Sequence, residues 1–214
     1  MQRVETRKTQ AERRDEAEKR LIEAGVHVLA ELGIERVTLA SVGAAAGFSR
    51  GLTNHYFGSK QAFQRKVAIF IGEQFETRFL MSALDPGYSS LLQLINNLFV
   101  RAMNDPLSRD LLRIALSDEP LKDAHMGRQL APVRQRAHQL FQLHVTEAIK
   151  SNDGRVSVDP GLVTSMILGA TCAALRVALA SPRQDWAVIA DKLSDFISSG
   201  LAANGNHPDH YKTR

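Results

Sequence analysis

Residues 38–57 read TLASVGAAAGFSRGLTNHYF, and this stretch indicates how the fold begins. Apolar residues, among them Val42 and Ala46, recur at three- and four-residue spacing, which is typical of a helix with one buried face. Thr38 stands where a side-chain hydroxyl can cap the first turn of that helix. Gly47 follows the helix, and glycine takes a positive φ without steric penalty, so we expect the chain to turn there.

A second short helix is predicted after the turn, with Ser49 as its N-cap. The residues that can face inward fall four apart: Phe48, Leu52 and Tyr56. The residues left for the other faces are polar: Arg50, Thr53, Asn54 and His55. Two short helices joined by a glycine-containing turn make a helix-turn-helix. Its second helix carries the hydrogen-bond donors and acceptors that reading base edges in a major groove requires.

This stretch and its flanks resemble the TetR family of transcriptional regulators. The matching positions are Thr38, Val42, Ala46, Gly47, Phe48, Ser49, Gly51, His55, Tyr56, Phe57, Ser59 and Lys60. Many members of the family have an apolar residue in place of Thr53 and a tyrosine in place of Asn54. The resemblance implies a homodimer that binds a palindromic operator in double-stranded DNA, most often as a repressor, and that a small-molecule effector releases.

The expected DNA contacts come from the second helix and its flanks. Arg50 is expected to bond a guanine edge or a phosphate, and Asn54 to pair with adenine. Thr53 would pack on a thymine methyl group, and Gly51 would let the helix start lie close to the DNA backbone. Lys60, at the start of the next helix, is placed to hold a phosphate. The full expected set is Thr38, Ser49, Arg50, Gly51, Thr53, Asn54, His55, Tyr56 and Lys60.

Charge is unevenly distributed along the 214-residue chain, whose formal net charge is +4. Residues 1–66 hold 12 Lys and Arg against 8 Asp and Glu, while residues 67–214 hold 15 of each. All of the excess positive charge therefore lies in the segment that contains the helix-turn-helix. A polyanion-binding end requires such an excess, although an excess of four can also arise by chance.

Composition places further bounds on the class of protein. Hydrophobic residues make up 44% of the chain, which permits a sizeable core. The single cysteine, Cys172, cannot form an internal disulfide and is expected to be a small buried side chain. The N-terminus has no apolar signal region. The longest uncharged run, residues 160–175, has 16 residues, short of the ~20 that span a bilayer. We expect a cytoplasmic protein with no membrane partner.

Helical periodicity recurs along the chain, and no segment alternates convincingly at period two. The predicted fold is all-α, with about nine helices. We expect four parts: a flexible arm at 1–10, a three-helix DNA-binding domain at 11–58, an effector-binding and dimerisation domain at 59–204, and a flexible tail at 205–214.

The larger domain yields two sets of candidate residues. Its predicted helix 159–181 is apolar on almost all sides, so we expect a partner subunit to bury part of its surface in a dimer interface. The expected dimer interface contains Val163, Met166, Ile167, Ala170, Ala174, Val177, Trp186, Leu193 and Ile197. The resemblance also implies an effector cavity, for which the candidate lining residues are Phe99, Met103, Arg113, Met126, His138, Phe141 and His144.

Chemical catalysis has little support in the sequence. Residues 47–51 spell G-x-S-x-G, but the serine-hydrolase elbow needs a strand before the serine, and here a helix is predicted. We expect no catalytic residues, no metal ligands and no cofactor. Two alternatives to an effector-controlled regulator stay open: a constitutive or architectural DNA-binding protein without an effector, and a small helical enzyme that uses the larger domain's cavity.

Overall fold

The computed structural model describes residues 9–80, 85–117, 124–151, 159–182 and 185–202. Within these ranges the chain forms nine α-helices and no strand, which confirms the predicted fold class. The helices are α1 Gln10–Leu32, α2 Leu39–Ala46, α3 Arg50–Phe57, α4 Lys60–Phe75, α5 Tyr88–Asn104, α6 Pro106–Leu116, α7 Ala124–Ser151, α8 Pro160–Ala180 and α9 Trp186–Ala202. A π-helical turn, Glu76–Leu80, continues α4. The expected arm before residue 9 and the expected tail at 205–214 lie outside the described residues.

The chain divides into two compact units. Unit 1 comprises Met1–Gln74 and Asp110–Leu130, and unit 2 comprises Phe75–Arg109 and Ala131–Arg214, each within its described residues. The boundary proposed from the sequence at residue 58 thus falls inside unit 1. Unit 1 also takes in the second half of α6, which follows it by more than thirty residues in the sequence.

In unit 1 side chains of α1 and α4 are buried against each other. The closest approach is at Gly25, where an added Cβ would lie 2.5 Å from the ring of Phe63. Phe63 in turn meets Phe57 of α3 edge to face, with ring centroids 5.2 Å apart. The buried apolar residues here include Leu21, Val26, Val28, Val37, Val42, Phe57, Phe63, Val67 and Ile71.

Unit 2 has its own apolar core. Its buried residues include Phe79, Leu91, Leu94, Ile95, Phe99, Phe141, Val145, Ile167, Leu175, Trp186, Leu193 and Ile197. Asp105 joins two of its segments, because its carboxylate pairs with Arg78 and accepts from the Ser108 hydroxyl at 2.6 Å. Burial alone would raise the pKa of the Asp105 carboxyl. The Ser108 hydrogen bond and the Arg78 charge outweigh burial and leave that pKa below its ordinary value.

Helix α8 agrees with the helix predicted at 159–181 and extends beyond the uncharged run of residues 160–175. It continues past Arg176 to Ala180, and its 21 residues are long and apolar enough to cross a membrane by length and composition alone. The sequence-based argument that this segment is too short to span a bilayer is therefore wrong. In unit 2 α8 packs against α9 and buries Ile167, Leu175 and Ala178, so its inner edge belongs to the unit's core.

Candidate nucleic-acid interface

Local capping interactions fix the two short helices as the sequence predicted. The Thr38 hydroxyl accepts from the backbone N–H of Ser41 at 3.0 Å, and the Ser41 hydroxyl completes a capping box. Gly47 ends α2 in the left-handed conformation, with φ 75° and ψ 26°. Ser49 then caps α3 by accepting from the N–H of Leu52 at 3.2 Å. Ser49, the serine of the G-x-S-x-G sequence, is thus the N-cap of α3, and it is preceded by a helix where the hydrolase elbow needs a strand.

The crossing of α2 and α3 depends on Gly43, which the sequence analysis did not single out. An added Cβ at Gly43 would lie 2.5 Å from the Thr53 hydroxyl oxygen and 3.1 Å from the Phe48 carbonyl oxygen. Thr53 is 0% exposed, and its hydroxyl donates to the Ser49 carbonyl at 3.2 Å. The prediction that Thr53 packs on a thymine methyl is therefore wrong, because the side chain fills the space that Gly43 leaves.

The outer edge of α3 is polar and exposed. Arg50, Gly51, Asn54 and His55 are all exposed, and their spacing of one, three and one places them along one side of the helix. The buried side is formed by Thr53 and Phe57, whereas Leu52 and Tyr56, expected to face inward, are only half-buried. The inward face is thus rotated by one residue from the prediction, because Thr53 takes the closest position to α2.

Arg20 of α1 secures the end of α2 in a way that the sequence does not reveal. Its guanidinium donates to the Ala46 carbonyl at 3.1 Å and lies 4.9 Å from the centre of the Phe48 ring. Carbonyls at a helix C-terminus lack partners in their own helix, so a cation there stabilises the helix end. The partners are 26 and 28 residues away in the sequence, and no local pattern marks them.

Lys60 lies at the start of α4, as predicted, but its ammonium already has a partner. It donates to the Glu35 carbonyl in the α1–α2 connection at 2.7 Å. Ser59 caps α4 by accepting from the N–H of Ala62 at 3.1 Å. An ammonium has three donors, so the contact with Glu35 leaves capacity for a phosphate. The phosphate role of Lys60 stays a prediction.

The residues predicted for the dimer interface divide into two groups. Four side chains are at most 7% exposed and form part of the core of unit 2, so their assignment to the interface is wrong: Ile167, Trp186, Leu193 and Ile197. Trp186, for example, donates its indole N–H to the Ser181 carbonyl at 3.3 Å. Met166 and Val177 are 63% and 55% exposed, and three residues are half-buried: Val163, Ala170 and Ala174.

The exposed apolar surface of α8 and α9 includes residues that the sequence analysis missed. Leu162 of α8 is 54% exposed, and Val188 and Phe196 of α9 are 58% and 64% exposed. Helical periodicity marked an apolar stripe correctly on each helix. It could not tell which edge of the stripe faces the chain's own core, because both edges are apolar.

The candidate effector residues do not all lie in one unit. Arg113 and Met126 lie in unit 1, where both line a cavity. The other five lie in unit 2: Phe99, Met103, His138, Phe141 and His144. His144 is 1% exposed, and its Nδ1 accepts from the backbone N–H of Gly87 at 3.3 Å. Burial lowers the pKa of His144, and its Nε2 has no hydrogen-bond partner among the described residues.

Comparison with known proteins identifies the segment that contains α2 and α3. Residues 21–66 match the family model described as bacterial regulatory proteins, tetR family. Residues 21–66 belong to the TetR family. The match covers α2, the turn and α3 and ends within α4, so it confirms the resemblance on which the helix-turn-helix interpretation rests.

One sequence relative matches about half of the chain, and two solved structures share the architecture over most of it at low sequence identity. The HTH-type transcriptional regulator CymR of Pseudomonas putida is 31% identical over 121 residues, a match that spans 55% of this chain and 60% of that protein. A TetR-like transcriptional regulator from Rhodococcus sp. RHA1 superposes with a TM-score of 0.69 at 20% identity, over 92% of this chain and 100% of the other. FadR from Bacillus subtilis, solved with stearoyl-CoA, gives 0.67 at 18% identity, over 86% and 98%. These structural likenesses establish the TetR-type fold.

Proposed function

We propose that this protein is a homodimeric, ligand-responsive, DNA-binding transcriptional regulator, and that it represses transcription from a palindromic operator until a small-molecule effector releases it. The observation that carries the proposal is the polar outer edge of α3, held by a glycine turn within a TetR-type domain. A helix braced in this way can enter the major groove with its own fold intact.

Base recognition is assigned to Arg50 and Asn54. They lie one helical turn apart on the exposed edge of α3, so both can reach neighbouring base pairs in one groove. A guanidinium bonds guanine in a bidentate manner, and a carboxamide does the same with adenine, each pair giving about 1–3 kcal/mol of discrimination. His55, exposed on the same edge, can contact a base edge or a phosphate.

Backbone contacts are assigned to residues around α3. Nothing but the Ser49 hydroxyl, at 3.9 Å, lies within 4 Å of a Cβ built on Gly51, so the chain itself does not require glycine there. Close approach of the DNA backbone would require it. Thr38, Ser49 and Tyr56 flank this point and can donate to phosphates, and Lys60 adds charge.

Dimer formation is assigned to the exposed apolar surface of α8 and α9. Leu162, Met166 and Val177 of α8, together with Val188 and Phe196 of α9, are each more than half exposed. An apolar surface of this kind is characteristic of a binding surface, and a second copy offers a matching one. A two-fold pair places two α3 helices in successive major grooves, roughly 34 Å apart, and so selects a palindrome.

Effector control is proposed for unit 2. FadR of Bacillus subtilis was solved with stearoyl-CoA, so a chain of this fold can hold a small molecule. A ligand weakens DNA binding only by as much as it favours the conformation that does not bind DNA. Unit 2 contributes the buried Phe99, Phe141 and His144 as candidate contacts.

Selection of genomic DNA fragments on the purified protein tests the proposal. We expect enrichment of one inverted-repeat sequence, bound by two copies of the chain, as measured by light scattering of the complex. Enrichment of a sequence without two-fold symmetry, or no enrichment above bulk DNA, would contradict it. The substrates and products of enzymes encoded next to the selected operator are the compounds to test as effectors. If the operator is bound but none of these compounds releases it, the regulator acts without an effector.

A further inference from the structure

A cavity of about 220 Å³ lies within unit 1, where the C-terminal end of α1 meets the second half of α6 and the start of α7. Its described lining residues are Leu29, Ala30, Glu31, Leu32, Gly33, Ile34, Arg36, Arg113, Ile114, Ser117 and Met126. Four apolar ones are at most 6% exposed: Leu29, Ile34, Ile114 and Met126. The cavity therefore has an apolar wall that belongs to the core of unit 1.

The polar part of the lining has an excess of positive charge. It contains two guanidinium groups, Arg36 and Arg113, and one carboxylate, Glu31. Arg36 donates through Nε to the Leu32 carbonyl at 2.8 Å, which holds its side chain against the end of α1. Among the described lining residues, the charges sum to +1.

A neighbouring carboxylate, Asp110, forms an ion pair with Arg113 but no direct hydrogen bond. One Asp110 oxygen is 3.7 Å from the Arg113 guanidinium, beyond hydrogen-bond distance. The other oxygen lies 2.9 Å from Nδ1 of His27, within hydrogen-bond distance. Glu31 also lies toward His27, at 3.7 Å. Asp110 and Glu31 thus both lie near His27. The Arg113 guanidinium has five N–H donors and keeps donor capacity for another anion.

We propose that this cavity binds a small organic monoanion: a carboxylate with a short aliphatic body. The carboxylate would meet Arg36 and Arg113, and the hydrocarbon would lie against Leu29, Ile114 and Met126. The volume of about 220 Å³ lies below the roughly 300–1,000 Å³ of pockets for drug-sized ligands, so a small ligand is expected. The site belongs to the unit that contains the helix-turn-helix and is separate from the effector candidates of unit 2.

Binding of such an anion could affect the position of the DNA-binding helices through α1. Helix α1 forms one wall of the cavity, and Arg20 of the same helix caps α2. A ligand that favours one spacing of α1 and α6 would shift the position of the helix-turn-helix by as much as it discriminates between spacings. This consequence rests on the proposed function, whereas the binding of the anion does not.

The test is a titration of the full-length protein, carrying carbon-13 methionine methyl groups, with hexanoate. Hexan-1-ol and hexylamine, which keep the six-carbon chain, serve as neutral and cationic probes. We expect the Met126 methyl signal, assigned with Met126→Leu, to shift saturably with hexanoate at a Kd below about 20 mM, the weak limit for a ligand of this size. Hexan-1-ol should bind at least tenfold more weakly, and the exposed Met166 signal should stay in place.

Four variants sharpen the titration. Arg113→Met and Arg36→Met keep most of the aliphatic stem and remove the charge, and each should weaken hexanoate binding at least fivefold. Arg65→Met, an exposed arginine of α4 outside the lining, is the matched control and should leave it unchanged. Ala30→Phe should fill the cavity and abolish the Met126 shift.

Two results would overturn the inference: no Met126 shift at saturating hexanoate, or equal binding of hexanoate and hexan-1-ol that persists in both arginine variants. A parallel measurement of DNA affinity separates the two proposals. If hexanoate binds as expected but no DNA is bound at any concentration, the proposed function fails and the anion site stands. If DNA is bound and the Met126 signal does not respond to hexanoate, the anion site is disproved and the proposed function stands.

Discussion

The outer edge of α3 and the outer faces of α8 and α9 are both exposed, but they expose opposite chemistry. On α3 the exposed side chains are polar, and the apolar side is covered within the same chain. On α8 and α9 apolar side chains are exposed as well as covered, beside charged ones such as Lys192 and Asp195. A polar edge is well solvated and can form hydrogen bonds to a hydrated polyanion. An exposed apolar face is stabilised when another apolar surface covers it. The comparison therefore supports the proposals that α3 binds DNA and that α8 and α9 bind a second copy of the chain.

The largest expected effect is loss of the dimer in Met166→Asp/Phe196→Asp. Burying a side chain of this size contributes about 1.5–3 kcal/mol, and the substitution removes two such side chains from each subunit and adds charge. We expect the dissociation constant of the dimer, measured by analytical ultracentrifugation, to rise by at least a hundredfold. Leu143→Asp replaces another apolar residue that is more than half exposed, on α7, and is the matched control. Dimers that survive the double substitution would place the partner on another surface.

A pair of glycines tests the other half of the comparison. Gly43→Ala should lower the free energy of unfolding by about 2 kcal/mol, because the added methyl group collides with Thr53 and the Phe48 carbonyl. Gly51→Ala should change it by no more than about 0.5–1 kcal/mol, in the stabilising direction, because the added Cβ on this helix would make only an ordinary contact with the Ser49 hydroxyl. Urea unfolding measures both. Only Gly51→Ala should then show weakened DNA binding in a protein that is fully folded.

Acid should destabilise unit 2 through His144. Burial lowers the pKa of this histidine in the folded state, so the unfolded chain binds the proton more tightly. Stability is therefore complete above the unfolded pKa of 6.5 and falls as the pH drops below it, by at most about 1.4 kcal/mol per pH unit. Thermal unfolding of the parent and of His144→Gln between pH 7.5 and roughly pH 5 should show this slope in the parent alone. Equal slopes would assign the acid sensitivity to other groups.

Arg20→Met should lower the free energy of unfolding by about 1–2 kcal/mol, no more than Gly43→Ala does. It removes the hydrogen bond to the Ala46 carbonyl and the contact of the cation with Phe48. Lys19→Met, at an exposed neighbouring position, should change stability by less than about 0.5 kcal/mol. If the two variants lose the same stability, Arg20 does not secure the end of α2.

Local chemistry explains what the sequence could predict. Thr38, Gly47 and Ser49 act on backbone groups within four residues, and their roles as caps and turn are confirmed. The face assignments were less secure, because they depend on which residue makes the closest long-range contact. Thr53 is buried since it lies against Gly43, and Trp186 is buried since it lies in the core of unit 2. Polarity and periodicity do not encode such distances.

The inclusion of the second half of α6 in unit 1 could not be predicted for the same reason. Its contact with α1 runs through His27 and Asp110, which are 83 residues apart. Neither residue lies in a recognisable motif. The cavity beside this contact uses two arginines, of which only Arg113 was among the candidate ligand contacts. A surface formed from separate segments is visible only once the segments are placed.

The most direct test of the central claim is the base preference of Asn54→Ala on the selected operator. Fluorescence anisotropy would measure the affinity of parent and variant for the operator and for every single-base-pair change within one half-site. The account predicts that the variant loses discrimination at one base pair per half-site, by about 1–3 kcal/mol, and keeps it elsewhere. A variant that binds the operator and discriminates at every position as the parent does would contradict the claim that the outer edge of α3 reads DNA.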